Sequence, residues 1–331
     1  MQREFRFAIV GSGNISRTYF LAVSKIKAAS LVALVSRHGG QPDFVPENIE
    51  IAPSLGEIKS EFDGVILATP NGLHHEGAVA AAHLGKHVFT EKPLDITTAN
   101  MERMIATCRE NKVRLGVAFQ HRVSPDNITL KKLIDNAAFG RIYSAEFAVR
   151  CWRDQGYYDS GEWRGTWKID GGGPFMQQAC HELDLYAWFF GLPDEVHSFT
   201  STYGHDIEVE DHGVSIFRYA NGMTGSFIAS TVAYPGFDPT LTLHAEKGSV
   251  ILTNGRITGW HIQGMDNPSK ELQGPIHSGA ASAAVADTTG HEALLKDFIS
   301  AVHNDSEPMI SGESAKLATE FALKIYSRLE P

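Results

Sequence analysis

Apolar residues in the first third of the chain fall in continuous runs separated by helical stripes; later they alternate with polar ones. Phe7-Ala8-Ile9-Val10, Leu31-Val32-Ala33-Leu34-Val35 and the run from Gly64 to Ala68 have no polar face, as strands buried on both sides of a parallel sheet do not. Between them lie Ile15, Tyr19, Val23 and Ile26 on one helical face, a helix over 75–84 stopped by Gly85, and the stripe Met101, Met104, Ile105 and Cys108. Further strands over 87–90 and 115–119 continue the alternation, which predicts an α/β, doubly wound parallel sheet. Past Gln120 the period changes to two. An Asn221-Gly222 turn joins 214–219 to 223–231, and Lys247-Gly248 joins 241–245 to 249–253, both read as hairpins. With runs at 143–152 and 195–202 they predict an α+β domain built on a large, open-faced, mainly antiparallel sheet. Helices cover one face, and a second subunit is the expected cover of the other. A Gly-, Ser- and Ala-rich loop over 264–290 precedes two closing helices, 292–303 and 314–327. The expected division is a parallel-sheet domain over 1–121 and an open-sheet, oligomerisation domain over 122–331, whose C-terminal helix packs back on the first.

The turn after the first strand is Gly11-Ser12-Gly13-Asn14-Ile15-Ser16. Strand, glycine turn and helix in that order let free helical N–H groups bind a pyrophosphate, which makes Gly11, Ser12, Gly13, Asn14 and Ile15 candidate cofactor contacts. Ser16 replaces the third glycine with a residue still small enough for close packing. A flavodoxin-like turn without a dinucleotide is the competing reading. At the tip of the second strand stand Ser36 and Arg37 rather than an acidic residue. A hydroxyl and a guanidinium suit a 2′-phosphate, so NADP(H) is the expected cofactor, with NAD(H) the alternative if Arg37 only stacks on adenine.

Two segments carry the remaining chemistry. Glu91-Lys92-Pro93 follows the strand His87-Val88-Phe89, and a lysine so placed makes sense if its amine reaches a cleft beside a cofactor, where partial burial tunes it for acid–base work. Farther on, Gly171-Gly172-Gly173 opens a predicted helix with Gln177, His181, Asp184 and Leu185 on one face, a proton-handling arrangement or a core histidine capped by Asp184.

The 331 residues carry 29 Lys and Arg against 39 Asp and Glu, a formal charge of −10, which argues against a nucleic-acid partner. Cys108, Cys151 and Cys180 lack metal-site spacing and suit a reducing compartment. No signal-peptide pattern and no membrane-length apolar run is present, so a cytoplasmic protein with no membrane partner is expected. His74-His75-Glu76 lacks a further ligand at metal spacing, and no metal is expected.

The glycine turn, Thr69-Pro70-Asn71 with His74, Gly85-Lys86-His87-Val88 with Glu91-Lys92-Pro93, and the three glycines with His181 and Asp184 together resemble the Gfo/Idh/MocA oxidoreductases, across essentially the whole chain. The resemblance implies a Rossmann domain, an open-faced second domain and a substrate cleft between them. It matches Lys92 and His181 to the family's active-site lysine and histidine, and places Thr69, Pro70, Asn71, His74, Glu91, Lys92 and Gln120 along the cofactor. Many members carry an aspartate four residues before that histidine; this chain has Gln177, which cannot carry a proton and is expected to orient a hydroxyl. Expected substrate contacts are Lys92, Arg122, Tyr157, Trp163, Arg164, Gln177, His181 and Asp184, since aromatic faces suit sugar C–H surfaces and arginine suits anions. The expected activity is hydride transfer between nicotinamide C4 and a secondary alcohol or ketone carbon of a sugar, polyol or sugar nucleotide, by a homodimer or homotetramer formed through the open sheet. A non-catalytic nucleotide-binding regulator and a nucleotide-assisted glycosidase are the rivals.

Overall fold

The computed structural model of the chain describes residues 3–37, 40–269 and 287–327. The chain divides into two compact units, Met1–Gln120 with Val285–Lys316, and His121–Ala284 with Leu317–Pro331.

The first unit holds the continuous apolar runs as strands: β1 (Phe5–Val10), β2 (Ala29–Val35), β3 (Glu50–Ala52), β4 (Gly64–Leu67), β5 (His87–Thr90) and β6 (Leu115–Val117). All pairs are parallel, in the order β3-β2-β1-β4-β5-β6, with the sequence-order reversal beside β1 that characterises the dinucleotide fold. Helices α1 (Asn14–Ser24), α2 (His74–His83) and α3 (Thr98–Glu110) supply the crossovers. The expected loop over 264–290 lies mostly outside the described residues. The helix that follows, past α4 to α6 of the other unit, is α7 (Thr289–His303). The sequence expectation kept it in the second domain. In the structure it returns to the first, because Phe298, fully buried, packs its ring against Phe5, Phe7 and Phe89 at centroid distances of 6.2, 6.3 and 5.5 Å.

The second unit contains α4 (Pro125–Asp135), the long strand β7 (Ile142–Trp152), the short α5 (Gln155–Asp159), α6 (Cys180–Phe190) and six further strands. These are β8 (Glu195–Ser201), β9 (His212–Arg218), β10 (Thr224–Ser230), β11 (Val232–Ala245), β12 (Gly248–Thr253) and β13 (Arg256–Ile262). Their order is β13-β12-β11-β7-β10-β9-β8, antiparallel except where β7 meets β10. Both expected hairpins form: Thr224 faces Arg218 across one turn and Gly248 faces Ala245 across the other. One face of the sheet packs on a core that includes Phe147, Phe227, Tyr186 and Phe217. The opposite face carries Phe199, Val214, Ile228 and Ala148 in register across four neighbouring strands, and Phe199 is 77% exposed. Part of the core comes from the last helix, α8 (Gly312–Tyr326), through Phe321, Ala322 and Ile325.

The expected helix through Gln177 is corrected. The α-helix begins only at Cys180, and Gln177 stands in the preceding turn, where its N–H donates to the Gly173 carbonyl at 3.0 Å. The cause is the glycine run upstream. Gly173 passes so close to Glu210 that any Cβ there would lie 1.8 Å from the Glu210 carbonyl oxygen, and the Glu210 carboxylate accepts the Gly173 N–H at 3.0 Å. These bonds hold the segment in a turn before helical geometry starts.

The Gly173 contact generates a prediction: Gly173→Ala destabilises the fold by about 3 kcal/mol or more, because the neighbour is backbone and cannot rotate away. Chemical denaturation of the purified variant measures it, and a loss below about 1 kcal/mol contradicts the close approach.

Candidate active site

In the first unit the expected cofactor residues gather at the C-terminal ends of the parallel strands, where open α/β sheets bind ligands. Gly11 has φ +111°, and a Cβ there would meet the Ala68 carbonyl oxygen at 2.5 Å, so the turn after β1 lies directly against the loop after β4. Ser16, fully buried, donates its hydroxyl to the Gly11 carbonyl at 2.7 Å and pins the turn from the helix side. Nothing lies within 4 Å of a Cβ built on Gly13, and the first turn of α1 carries no acidic side chain. Open space before helical N–H groups, with no local anion, fits a pyrophosphate. Ser36 is buried, whereas Arg37 is exposed with its guanidinium 4.0 Å from the Glu76 carboxylate.

His74 ties two loops of this rim together. It is fully buried, with Nδ1 2.8 Å from the Pro93 carbonyl and Nε2 3.0 Å from the Thr69 carbonyl. Burial lowers its pKa, and the two carbonyl contacts oppose that shift. The side chains of the His74-His75-Glu76 run turn to separate partners: His75 faces Asp95 at 3.0 Å, and Glu76 faces Arg37. Among the described residues no group of three or more His, Cys, Asp or Glu is placed to hold a metal ion.

Lys92 is half-buried, and the carboxylates on either side of it in sequence hold its loop. Glu91 is buried; its carboxylate accepts the Tyr19 hydroxyl at 2.7 Å and the Lys92 N–H at 3.1 Å, and lies 3.7 Å from His291 Nε2. Burial opposes ionisation of Glu91, but the His291 contact, the charge of Lys92 and the tyrosine bond outweigh it and hold the pKa below the usual value. The side chain of Glu91, expected along the cofactor, is thus directed at protein partners. Asp95, fully buried, accepts the N–H groups of His75 and Ile96 at 3.2 and 2.8 Å and the Asn100 amide at 3.0 Å. Asn71 is buried, and Gln120 lies against Gly290, where a Cβ would come within 2.8 Å of it.

In the second unit Arg122 and Asp184, expected to meet substrate, close on each other. Nε to Oδ2 is 2.7 Å and Nη2 to Oδ1 is 2.5 Å, with both side chains buried. Burial raises the Asp184 pKa to about 6 against the opposing pull of the guanidinium. Asp184 is therefore the partner of Arg122 and not a cap for His181. The half-buried His181 ring stacks on His121 at 4.4 Å between centroids, and His121 Nδ1 lies 3.2 Å from the buried Glu182 carboxylate. The expected sugar contacts do come together: the Arg164 guanidinium lies 4.4 Å from the Tyr157 ring centroid and 4.5 Å from that of Trp163. Arg153 approaches Tyr157 from 5.5 Å, and the Gln178 amide lies 3.4 Å from the Tyr157 hydroxyl.

Residues that the sequence reading did not assign to the site are Tyr19, Asp95, His121, Glu182, Glu210 and His291. Asp95 had a local signal, an aspartate two residues past Pro93 and two before the Thr97 cap of α3. His291 had none, since it meets Glu91 across 200 residues of sequence.

Residues 5–119 match the oxidoreductase family with an NAD-binding Rossmann fold, and residues 128–251 match the GFO/IDH/MocA C-terminal domain. An inositol 2-dehydrogenase of Rhizobium meliloti is 26% identical over 96% of this chain and 94% of its own. Among solved structures, the WlbA dehydrogenase from Bordetella pertussis, in complex with NADH and UDP-GlcNAcA, superposes with a TM-score of 0.86 at 31% identity, covering 98% of this chain and 96% of its own. A levoglucosan dehydrogenase with NADH and levoglucosan shares the fold at 21% identity and a TM-score of 0.79, covering 98% of this chain and 97% of its own.

Burial pushes the Glu210 carboxyl up to about 7, although Tyr326 donates to it at 2.8 Å and Gly173 at 3.0 Å. A carboxyl whose folded pKa is raised stabilises the fold fully below its unfolded pKa, and that contribution is lost as pH rises through about 7. Glu210→Gln removes the ionisation, so the stability of the variant relative to the native chain should improve between pH 5 and pH 8, by at most about 3 kcal/mol. Denaturant melts of both proteins across that range measure it, and a constant difference would contradict the raised pKa.

Proposed function

The chain belongs to the Gfo/Idh/MocA family of oxidoreductases, and on that premise we propose that it moves a hydride between a nicotinamide dinucleotide and a secondary alcohol or ketone carbon of a sugar nucleotide. The observation that carries the substrate class is Arg164 set against the rings of Tyr157 and Trp163. A guanidinium beside aromatic faces suits a sugar ring bearing an anionic group. The relative solved with UDP-GlcNAcA supports the same class.

The bound nicotinamide supplies the hydride acceptor or donor. When the alcohol is oxidised, His181 takes the hydroxyl proton as the hydride leaves, and the carbinol carbon becomes a carbonyl. In reduction the same imidazolium returns the proton. Lys92, half-buried behind the Glu91 and Asp95 anchors, opposes the negative charge that grows on the substrate oxygen. The Gln177 amide orients a hydroxyl and carries no proton. Arg122 and Asp184 hold each other and, with them, the start of α6.

We take NAD(H) as the cofactor. Arg37, the residue behind the NADP(H) expectation, faces the Glu76 carboxylate, so a 2′-phosphate there would meet an anion as well as a guanidinium. NADH in the 31% identical relative supports this choice. The three cysteines are buried and carry no disulfide, in keeping with a reducing compartment, and a cytoplasmic location is part of the same proposal. Among the described residues no helix is long and apolar enough to cross a membrane. The apolar row Phe199, Val214, Ile228 and Ala148 is proposed to be covered by a second copy of the chain.

Three measurements test this reading. Lys92→Met and His181→Asn should each lower turnover of a UDP-linked sugar by about 100-fold or more while dinucleotide affinity stays within about 3-fold. Near-normal turnover in either would remove that residue from the chemistry. Fluorescence titrations should show NADH binding at least ~10-fold tighter than NADPH, about 1.4 kcal/mol, with Glu76→Gln narrowing the gap. Tighter NADPH binding would restore Arg37 as a phosphate reader. Light scattering should find a dimer or larger assembly that Phe199→Asp reduces, and a monomeric native protein would refute the covered face.

A further inference from the structure

Glu91 precedes the lysine of the site, and its buried carboxylate is the point where three elements of the first unit meet. From α1, the fully buried Tyr19 donates its hydroxyl to Glu91 Oε1 at 2.7 Å. From α7, the buried His291 brings Nε2 to 3.7 Å from the same oxygen, and its ring stands edge-on to Tyr19 with 5.4 Å between centroids and 88° between planes. The other oxygen, Oε2, accepts the Lys92 N–H at 3.1 Å. The Glu91 N–H is itself fixed to the Leu67 carbonyl at 2.9 Å. A second tie holds α1 against α7: Lys25, at the end of α1, donates to Thr288 Oγ1 at 2.7 Å and meets Glu292 at 3.1 Å. Burial opposes the charge of Glu91, but the His291 and Tyr19 contacts and the Lys92 charge hold its pKa below the usual value. The carboxylate is therefore a buried anion that needs each of its donors.

We propose that Tyr19 and His291 are positioning residues for the hydride transfer: acting through Glu91, they hold the peptide from which the Lys92 side chain projects. Neither side chain has to touch substrate or cofactor to do so. Glu91 Oε1 is held from α1 and α7, which fixes the plane of the carboxylate and so the place where Oε2 receives the Lys92 N–H. Without the Tyr19 hydroxyl, Oε1 would keep among the described residues only the imidazole at 3.7 Å, beyond hydrogen-bond reach. A buried anion short of a donor turns toward another, and that turn carries the Lys92 N–H with it. An amine displaced by about 1 Å loses much of its effect on a charge growing at the substrate oxygen. Because Tyr19 lies on the helix whose first turn is the candidate pyrophosphate site, the same bond ties the lysine loop to the dinucleotide end of the unit. This inference rests on the reading of Lys92 as the electrostatic group of the reaction.

The test uses the full-length protein and two measurements. In kinetics with a UDP-linked sugar, Tyr19→Phe should lower kcat by about 10-fold, with the sugar KM and the dinucleotide affinity within about 3-fold of native. The same change in a Lys92→Met background should alter the remaining kcat by less than about 2-fold, because the lysine it acts through is gone. Equal losses in both backgrounds would make the hydroxyl a general structural contact and overturn the proposal. His291→Gln keeps a side-chain N–H for Glu91 and should retain at least about 5-fold more kcat than His291→Leu. Equal kcat in that pair overturns the role of His291, and the pair carries the test if the Tyr19 variant does not fold. The second measurement is independent of turnover. In protein labelled with ¹³C-lysine, the Lys92 side-chain resonances, assigned by their loss in Lys92→Met, should move in Tyr19→Phe. Unmoved Lys92 resonances in the folded variant overturn the positioning inference, whereas moved resonances with full turnover by Lys92→Met overturn the catalytic reading alone.

Discussion

Buried carboxylates organise the loops that matter in this molecule. A carboxylate removed from water is tolerated only when its oxygens are satisfied by N–H, O–H or guanidinium donors, and each such requirement here is met by the segment it anchors. Glu91 is satisfied by Tyr19 and by the backbone of Lys92, Asp95 by the N–H groups that follow it, Asp184 by Arg122, and Glu210 by Gly173 and Tyr326. The consequence is rigidity where loops would otherwise be loose. Lys92 and His181 each sit beside such an anchor, so their side chains project from fixed backbone, as the acid–base and electrostatic roles proposed for them require.

The anchors also explain why the two halves of the chemistry differed in how far they could be read from sequence. The parallel sheet was legible because continuous apolar runs, glycine turns and helical stripes are local signals, and β1, α1 and β5 lie where their patterns put them. The hairpins were legible through Asn221-Gly222 and Lys247-Gly248. The start of α6 was not. The helical stripe predicted through Gln177 is interrupted by the contact of Gly173 with Glu210, two residues 37 positions apart. The return of α7 to the first unit was hidden for the same reason, since the rings that Phe298 meets are more than two hundred residues away in sequence.

The site showed the same division. Lys92, His181, Tyr157, Trp163 and Arg164 stood out by chemistry and by their motifs, and the last three do form one cluster. Arg122 and Asp184 looked equally suited to a substrate, yet an arginine and an aspartate that are both fully buried satisfy each other first. No composition rule separates a guanidinium that waits for a ligand from one already spent on an internal carboxylate. His121 was passed over because its meaning comes from the ring it stacks on, 60 residues later.

The placement of β7 has a consequence for how the chain acquires its structure. β7 spans Ile142–Trp152 at the centre of its sheet, and its neighbours are β10 and β11, which end at Ala245. The first sheet is similarly short of α7 until residues up to His303 exist. During synthesis the six parallel strands therefore emerge before the helix that closes one of their faces, and β7 waits for roughly the time needed to add its later partners, several seconds at ordinary elongation rates. Long-range pairing of this kind slows folding and leaves apolar strand surface exposed on the nascent chain. The interval between β7 and β11 is where a chaperone would have most to protect.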